Sequence, residues 1–388
     1  MTTEEGAPNR RRPARAATMK DVAALVGVSI KTVSRVVNGQ ADVHPDTRAR
    51  IEAAMEQLNF RPNAMASMIR RRGGRTASIG LIVEDLANPF MAQLARVIQD
   101  YTLKRSHLVL IGSSDGKLQR EQELVAQFLT RRVDGLIIVP AETDQSYLER
   151  ERERGIPVVF VDRPGARIEA DAVVSENATG AREAVEHLAA HGHRRIGYLG
   201  DLRGFHTATA RLEGYQAGMR SAIGEVDERY VRMDVHTAKA AEQETLALLD
   251  MERPPTALLC GNNVITVGAL HALQARGLRH KVAIVGFDDQ DLADLLTPAL
   301  TVVAQDVAAI GRMAAERLFS RLEPGEDAAE GPYQWLTVPV RLLPRGSGEI
   351  PAPADERQDA GEDGQEPGRD RQSRQGPPVG GEDREGMR

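Results

Sequence analysis

The sequence predicts an α/β protein in which a small helical N-terminal domain precedes two doubly wound parallel sheets. Residues 18–38 read as two short amphipathic helices separated by a glycine. From residue 77 onward, apolar runs of strand length alternate with helical segments. These runs are apolar on both faces, as expected of parallel strands that are covered by helices on each side of a sheet.

The N-terminal segment TMKDVAALVGVSIKTVSRVVN has the pattern of a helix-turn-helix. Thr18 is placed to cap the first helix together with Asp21, and Gly27 is placed to end it. Ser29 stands where the second helix needs its own cap. The predicted buried faces consist of Val22, Leu25 and Val26 in the first helix, and Val33, Val36 and Val37 in the second.

The second helix leaves one face free for nucleic acid. At about 100° per residue, an arc of roughly 140° that avoids the valines holds Ile30, Lys31, Ser34, Arg35 and Asn38. Arg35 suits a bidentate contact with guanine, Lys31 a single charged contact, and Ile30 a thymine methyl group. Side chains suited to phosphate oxygens are Thr18, Thr32, Ser34 and Asn38. The alternative is a helical corner whose charged residues are merely solvated.

This segment, with VHPDTRARIEAAMEQLNFRPNAMASMIRR after it, resembles the headpiece of the lactose-repressor (LacI-type) family. The resemblance implies that the second helix reads the major groove through Ile30, Lys31 and Arg35. It also implies a hinge helix in the minor groove that acts through Ala66, Ile69 and Arg70. Residues 63–70 are too few for a stable isolated helix, so we expect the hinge to fold on double-stranded operator DNA beside that of a second subunit.

The rest of the chain supplies strands and crossover helices for two sheets. The predicted strands lie in SIGLIV, HLVLIGS, DGLIIVP, IPVVFVD, RIGYLG, TALLCG and VAIVGFD, and WLTVPVRLLPRGS is the strand that closes the fold. Helices between them include PFMAQLARVIQDYTLKR, EQELVAQFLTRR, AREAVEHLAAHG, ARLEGYQAGMRSAIG and ITVGALHALQARG. Ligands of such folds sit beyond the carboxyl ends of the strands.

The loops after these strands extend the resemblance to about residues 17–347. They are similar to the effector domain that the family shares with periplasmic sugar-binding proteins, a periplasmic-binding-protein-like domain whose chain crosses between two lobes three times. The implied effector-binding residues are Asn88, Phe90, Asp162, Arg163, Glu176, Arg211, Asn262 and Asp288. Their chemistry suits a hydroxylated, sugar-like small molecule, because carboxylates, amides and a guanidinium bind hydroxyls and Phe90 offers a face to a ring.

Several of these positions have a simpler interpretation. Asp162 and Asp288 end strands, where a carboxylate often caps the next turn. Phe90 suits a core, and Arg211 could pair with Glu213. The chain also departs from the family: Asn263 and Glu176 replace common aspartates, and Val235 stands where some members have an aromatic ring.

Composition narrows the functional class. The 388 residues include 41% apolar and 27% charged side chains, which is ordinary for a soluble globular protein. Residues 1–75 hold 14 Lys and Arg against 7 Asp and Glu, so the basic end is the one suited to DNA. We find no apolar signal or membrane segment, which predicts a cytoplasmic protein. The single cysteine, Cys260, and the absence of metal-ligand spacing predict no disulfide, metal or cofactor.

The predicted organisation is a disordered basic arm at 1–17, a headpiece at 18–61, a hinge and linker at 62–76, an effector and dimerisation domain at 77–347, and a disordered tail at 348–388. We predict a homodimeric transcriptional regulator that acts as a repressor in the manner of its family and is controlled by a sugar or sugar derivative. The sequence has no nucleophile elbow, phosphate loop or metal motif, so an enzyme is not predicted. The alternatives are a regulator without a small-molecule effector and a solute-binding protein.

Overall fold

The computed structural model describes residues 17–37, 40, 42–60, 75–141, 144–323 and 331–354. Predictions for the arm before residue 17, for Asn38, for the hinge residues Ala66, Ile69 and Arg70, and for the tail from residue 355 fall outside the described residues.

Three helices form the headpiece, α1 (Met19–Val26), α2 (Ile30–Val37) and α3 (Pro45–Gln57). The predicted caps of α1 are present: Thr18 and Asp21 form a capping box, and Gly27 ends the helix in the left-handed conformation at φ 73°. The three helices bury a common core of Val22, Ala23, Val26, Val33, Val36, Val43, Ile51 and Ala54.

One predicted core residue of the headpiece is exposed. Leu25 is 48% exposed, and Ala23 takes the buried place instead. At about 100° per residue, Leu25 points roughly 100° away from the middle of the arc that Val22, Ala23 and Val26 share. The prediction for Leu25 was therefore wrong. Helices α2 and α3 pack against the side of α1 that carries Val22, Ala23 and Val26, and Leu25 lies outside that side.

The first lobe is built on a sheet with strand order β11-β5-β4-β3-β1-β2. Its strands are β1 (Ser78–Val83), β2 (Leu108–Ser113), β3 (Gly135–Ile138), β4 (Val158–Asp162), β5 (Asp171–Ser175) and β11 (Trp335–Val338), all paired in parallel. Helices of this lobe are α4 (Pro89–Leu103), α5 (Leu118–Thr130), the short α6 (Glu149–Glu153) and α11 (Val307–Leu322). Strand β2 lies at an edge and is partly exposed, so the expectation of two apolar faces does not hold there.

The second lobe has strand order β12-β10-β9-β8-β6-β7. Its strands are β6 (Ile196–Leu199), β7 (Val231–Arg232), β8 (Ala257–Cys260), β9 (Ala283–Phe287), β10 (Thr301–Gln305) and β12 (Val340–Leu343). Its helices are α7 (Asn177–Ala190), α8 (His206–Ala222), α9 (Ala238–Leu249) and α10 (Asn263–Ala275). Strand β12 pairs antiparallel with β10, whereas the other described pairs of this sheet are parallel.

In the described part of the chain, three crossings connect the lobes: after β5, after β10, and between β11 and β12. The last crossing corrects the prediction of one closing strand in WLTVPVRLLPRGS. Pro339 has no backbone N–H and so interrupts the strand, leaving β11 in one lobe and β12 in the other. The crossings run side by side, since the N–H of Glu176 donates to the carbonyl of Val338 over 3.0 Å.

The second lobe continues past the predicted boundary at residue 347. The carboxylate of Glu349 accepts from the Thr301 hydroxyl over 2.8 Å. Ala352 is 1% exposed and donates its N–H to the carbonyl of His191. These contacts place residues 348–352 in the packed domain, so the start predicted for a disordered tail was too early.

Candidate DNA-reading helix and interlobe cleft

Helix α2 presents its predicted reading face away from the headpiece core. Val33 and Val36 are buried, whereas Ile30 is 48% exposed and Lys31 is exposed beside it. Arg35 is partly exposed on the same side, and its Nη1 lies 3.2 Å from Oδ2 of Asp42. The helix therefore offers an apolar group, an ammonium and a guanidinium on one open surface.

Two predicted phosphate contacts have local roles as helix caps. The Thr18 hydroxyl lies 2.6 Å from Oδ2 of Asp21. The Thr32 hydroxyl lies 2.8 Å from that of Ser29, whose oxygen accepts the Thr32 N–H over 3.1 Å. These hydroxyls orient the ends of α1 and α2, and Ser34 lies partly exposed on α2.

The residues predicted to bind an effector lie around a cleft between the two sheets. Asp162 ends β4 in the first lobe, and Asp288 follows β9 in the second. Both have positive φ values, 70° and 73°, and both are buried. The carboxyl ends of the two sheets thus face each other, as the fold class predicts.

Arg163 anchors the first lobe's side of the cleft. Its guanidinium pairs with Glu84, lies 3.2 Å from Asp162, and donates to the Pro140 carbonyl over 3.2 Å. It also lies 3.9 Å from the ring centroid of Phe205 in the second lobe. Arg163 is 5% exposed, so its predicted place in the cleft is that of a buried bridge between the lobes.

Asp201 organises the facing side of the second lobe. Its carboxylate lies 2.8 Å from Nδ1 of His236 and accepts from Nδ2 of Asn262 over 2.9 Å. The hydrogen bond with Asp201 raises the pKa of His236. Burial opposes ionisation of Asp201, but the hydrogen bonds from His236 and from the Leu202 N–H, together with the nearby charges of His236 and Arg163, outweigh burial and lower the pKa of the carboxyl. Nε2 of His236 in turn lies 3.9 Å from Glu84 of the first lobe.

Asn262 also serves as a helix cap, because its Oδ1 accepts the N–H of Ile265 over 2.8 Å at the start of α10. The neighbouring Asn263 makes the interlobe contact: its Nδ2 donates to Oδ1 of Asn88 over 2.8 Å. Asn88 caps α4 through the same oxygen, which accepts the N–H of Phe90. The two predicted asparagines, Asn88 and Asn262, thus lie at the cleft, and each caps the start of a helix.

Arg211 lies in the second lobe at the base of the cleft. Its Nε donates to Oδ1 of Asn177 over 2.7 Å, and Nη1 donates to the Gly261 carbonyl over 2.5 Å. Its guanidinium also lies 3.8 Å from the ring centroid of Phe287. These partners replace the alternative pairing with Glu213.

Asp288 receives a hydrogen bond from Nε2 of Gln305 over 2.6 Å. Burial raises the pKa of its carboxyl, despite the nearby charge of Arg211. A carboxyl in this setting is suited to hydrogen bonding with hydroxyl groups of a ligand. The Oε1 of Gln305 is buried without a hydrogen-bond partner, so the same site holds an unused acceptor.

The remaining two predicted residues differ in their surroundings. Phe90 is 7% exposed and belongs to the core of the first lobe, as its simpler interpretation held, yet it also borders the cleft beside Asp288. Glu176 precedes α7 at a crossing and makes no side-chain cap to that helix.

Two cavities occupy the space between the lobes. One of about 480 Å³ lies between Phe90 and Gln93 on one side and Asp288 and Gln305 on the other. A second of about 240 Å³ lies between Arg163 and Phe205. A third cavity, of about 540 Å³, lies elsewhere, on the outer face of the second lobe beside α10. Polar groups converge on the interlobe cavity beside Asp288 and Gln305, which makes this part of the cleft the candidate ligand site.

The sequence pattern missed several residues of this site: Glu84, Asp201, Phe205, His236, Asn177 and Gln305. Val235, which stands where some members of the family have an aromatic ring, is buried in the core with 2% of its side chain exposed. The next residue, His236, faces the cleft, with its ring 6.0 Å from that of Phe205. Residues 235 and 236 lie beyond the end of β7 (Val231–Arg232) and outside regular secondary structure, so no strand alternation indicated the direction of His236.

The described residues contain no cluster of His, Cys, Asp and Glu side chains arranged to hold a metal ion. Among the same residues, no helix has both the length and the apolar character needed to cross a membrane.

Two family models match the chain. Residues 18–63 match the bacterial regulatory proteins of the lacI family, and residues 185–348 match a periplasmic binding protein-like domain. The first match covers the headpiece with α2, and the second covers most of the second lobe together with β11.

Similar proteins span nearly the whole fold. The repressor CytR of Escherichia coli K12 is 31% identical over 334 residues, covering 86% of this chain and 96% of the relative. The ribose operon repressor of Haemophilus influenzae is 31% identical over 315 residues, covering 80% and 94%. A crystal structure of the Lac repressor dimer bound to operator and the anti-inducer ONPF is 27% identical, with a TM-score of 0.75 and coverage of 86% and 99%.

Proposed function

The chain belongs to the LacI family of bacterial regulatory proteins, and from this premise we propose that it is a homodimeric repressor that binds a pseudo-palindromic operator under the control of a small polar effector. The observation that carries the proposal is the open face of α2. Ile30, Lys31 and Arg35 lie on that face, whereas the valines of the same helix form the headpiece core.

The DNA contacts that we propose follow from these side chains. Arg35 reads guanine in the major groove, Lys31 adds a charged donor, and Ile30 contacts a thymine methyl group. Thr18 and Thr32 lie at or near helix N-termini, where backbone N–H groups and hydroxyls bind phosphate oxygens, and Ser34 lies farther along α2. Asn38 belongs to the proposed phosphate set, and Ala66, Ile69 and Arg70 to the proposed hinge contacts in the minor groove.

The effector that we propose is a sugar or sugar derivative in the interlobe cleft. Asp288 and Phe90 border one interlobe cavity. Arg211 and Asn262 are proposed to supply further donors and acceptors for hydroxyls. The nearby carboxylates of Glu84, Asp162, Glu176 and Asp201 favour an uncharged effector over a sugar phosphate. Such a ligand would bridge the lobes and shift their arrangement, and that shift would reach the headpiece through the hinge.

A second copy of the chain is the proposed partner of two exposed apolar surfaces. Leu292 and Leu295 are 66% and 73% exposed beside the cavity on the outer face of the second lobe. In the first lobe, Leu108 and Ile111 are exposed on the edge strand β2. Exposed apolar patches and free strand edges favour association, and a dimer would place two α2 helices on two operator half-sites.

Selection from random DNA tests the proposed operator binding. Purified protein is incubated with a duplex library at physiological salt, and the bound fraction is amplified and sequenced. The proposal predicts enrichment of a site with two related half-sites in opposite orientation. Enrichment of no sequence, with binding that depends on salt alone, would contradict it.

A panel of ligands tests the effector. Thermal unfolding is measured with neutral sugars, polyols, sugar phosphates and nucleosides. At 100 times its dissociation constant, a ligand adds about 2.7 kcal/mol of stability and raises the midpoint by several degrees. A rise with one neutral sugar or polyol supports the proposal.

A regulator without an effector is the second candidate. The observation that favours it is that Arg163 and Asn262 already bind protein groups across or beside the cleft. A ligand panel without any stabilising compound, in the absence and in the presence of operator, would favour this alternative.

A further inference from the structure

An acidic residue lies against the proposed base-reading arginine. The Arg35 Nη1 and the Asp42 Oδ2 are 3.2 Å apart, with side chains 40% and 56% exposed. Asp42 follows α2 in the loop that leads to α3. Because ion pairs this exposed add little stability, the contact is poorly explained as a support for the fold.

Two contacts hold Gln40, two residues before Asp42. The N–H of Gln40 donates to the carbonyl of Arg35 over 3.0 Å, and the carbonyl of Gln40 accepts from Nη2 of Arg48 over 2.5 Å. On the other side of Asp42, Val43 is buried in the headpiece core. Asp42 is therefore placed by the fold at the side of α2 that carries Arg35.

The carboxylate has an unfavourable position for simple DNA binding. Its charge repels phosphates on the surface that is proposed to approach them, so it lowers affinity for DNA of any sequence. This loss of affinity is offset only if Asp42 improves the recognition of bases. A guanidinium has five N–H donors, so Arg35 can keep the bond to Asp42 and still present two donors to guanine O6 and N7.

We propose that Asp42 is a positioning residue for base recognition. It holds the Arg35 guanidinium in the orientation needed for guanine and keeps it from settling on a phosphate, so that specificity increases while general affinity falls. This inference rests on the proposed operator binding and on Arg35 as a reader of guanine. It adds to that function a specificity determinant outside helix α2.

The test compares Asp42→Asn with a matched control, Asp46→Asn. Asp46 is also exposed and acidic, but its carboxylate lies 3.6 Å from His44 instead of contacting Arg35. Both substitutions remove one negative charge from the headpiece. DNA selection and binding titrations are carried out with the unchanged chain, with each variant, and with Arg35→Ala alone and combined with Asp42→Asn.

We expect Asp42→Asn to lower discrimination at the base pair read by Arg35 by roughly twofold to fivefold, the range of an exposed ion pair. Asp46→Asn should leave that preference unchanged while raising affinity for all sequences. In the Arg35→Ala background, Asp42→Asn should have no further effect on base preference, since the two residues act as a unit.

Two outcomes would overturn the inference, and they are distinguishable from each other. If Asp42→Asn and Asp46→Asn strengthen binding equally and leave the base preference intact, Asp42 acts only through net charge. If the unchanged chain enriches no sequence, the proposed operator binding itself fails, and the inference fails with it.

Discussion

Asn88 and Asn263 join the two lobes through their side-chain amides. Nδ2 of Asn263 donates to Oδ1 of Asn88 over 2.8 Å, and Nδ2 of Asn88 lies 3.4 Å from Oδ1 of Asn263. Asn263 is 3% exposed and begins α10, while Asn88 caps α4. The pair therefore couples the helix that follows β8 in one lobe to the helix that follows β1 in the other.

Asn263→Ala is expected to destabilise the protein by about 1–3 kcal/mol. The substitution leaves the partly buried Asn88 side chain and Val264 N–H without their Asn263 partner, which costs more than the bond itself contributes. Urea unfolding of the variant and the unchanged chain measures the difference. A loss of less than about 0.5 kcal/mol would show that the interlobe pair is not a structural link.

Asp288→Asn tests the cleft with little change in shape. We expect the stabilisation by a neutral sugar or polyol found in the ligand panel to disappear. The substitution replaces a carboxylate oxygen, which accepts a hydrogen bond from a ligand hydroxyl, with an amide group that donates one. Arg211→Lys should act similarly, since an ammonium cannot reproduce the fork of guanidinium donors. The readout is the ligand-induced shift in unfolding temperature. If both variants keep the full shift, the effector is bound elsewhere.

Leu295→Asp is expected to weaken the proposed dimer. A carboxylate at this exposed apolar position would be buried on association, at a cost of about 2 kcal/mol or more per substituted site. Sedimentation equilibrium measures the dissociation constant. Trp335→Asp is the control, because Trp335 is exposed on β11, at the edge of the first lobe's sheet opposite β2. Equal association of Leu295→Asp and the unchanged chain would contradict the proposed interface.

The His236–Asp201 pair predicts a pH-dependent contribution to stability. The hydrogen bond with Asp201 raises the pKa of His236 above its ordinary value of 6.5. The stabilisation is therefore fully present below pH 6.5 and is lost as pH rises through the higher folded-state pKa. Since the His236 side chain is 38% exposed, solvent screening limits the effect to under about 1 kcal/mol.

His236→Gln should thus lower the unfolding midpoint more at pH 6 than at pH 8.5. The charged groups that face His236 are Asp201, Glu84 and Arg163, and the ionised Asp201 stays charged across this range because its pKa is lowered. His280→Gln, at an exposed position, controls for the loss of an imidazole. A difference between variant and unchanged chain that is constant with pH would exclude the proposed protonation.

The headpiece and most of the sheets were predictable because their signals are local. Thr18 and Asp21 indicate a helix cap, and Gly27 indicates a helix end. Runs such as SIGLIV indicate a buried strand. Strands with weaker patterns, β5, β7 and β10, and helix α9 were not predicted. The split at Pro339 depends on which sheet each half joins, which is a long-range property that no local pattern encodes.

The cleft was predictable as a set of strand ends, but its pairings were not. Asn262 and Asp288 follow the carboxyl ends of β8 and β9, and their binding of an effector stays a prediction. The bridges between lobes come from residues without a recognisable motif, such as Glu84, Phe205 and His236. Their contacts depend on how two sheets approach each other, and spacing along one chain carries little information about that approach.

Operator binding and effector binding are proposed to be linked within one molecule. The most direct test uses the stabilising ligand from the panel and the selected operator duplex, and measures four dissociation constants by titration. These are the constants for the operator with and without ligand and for the ligand with and without operator. Linkage predicts that the two ratios are equal and differ from one, typically by a factor of about 5–150. A ligand that binds the cleft and leaves operator affinity unchanged would contradict the claim.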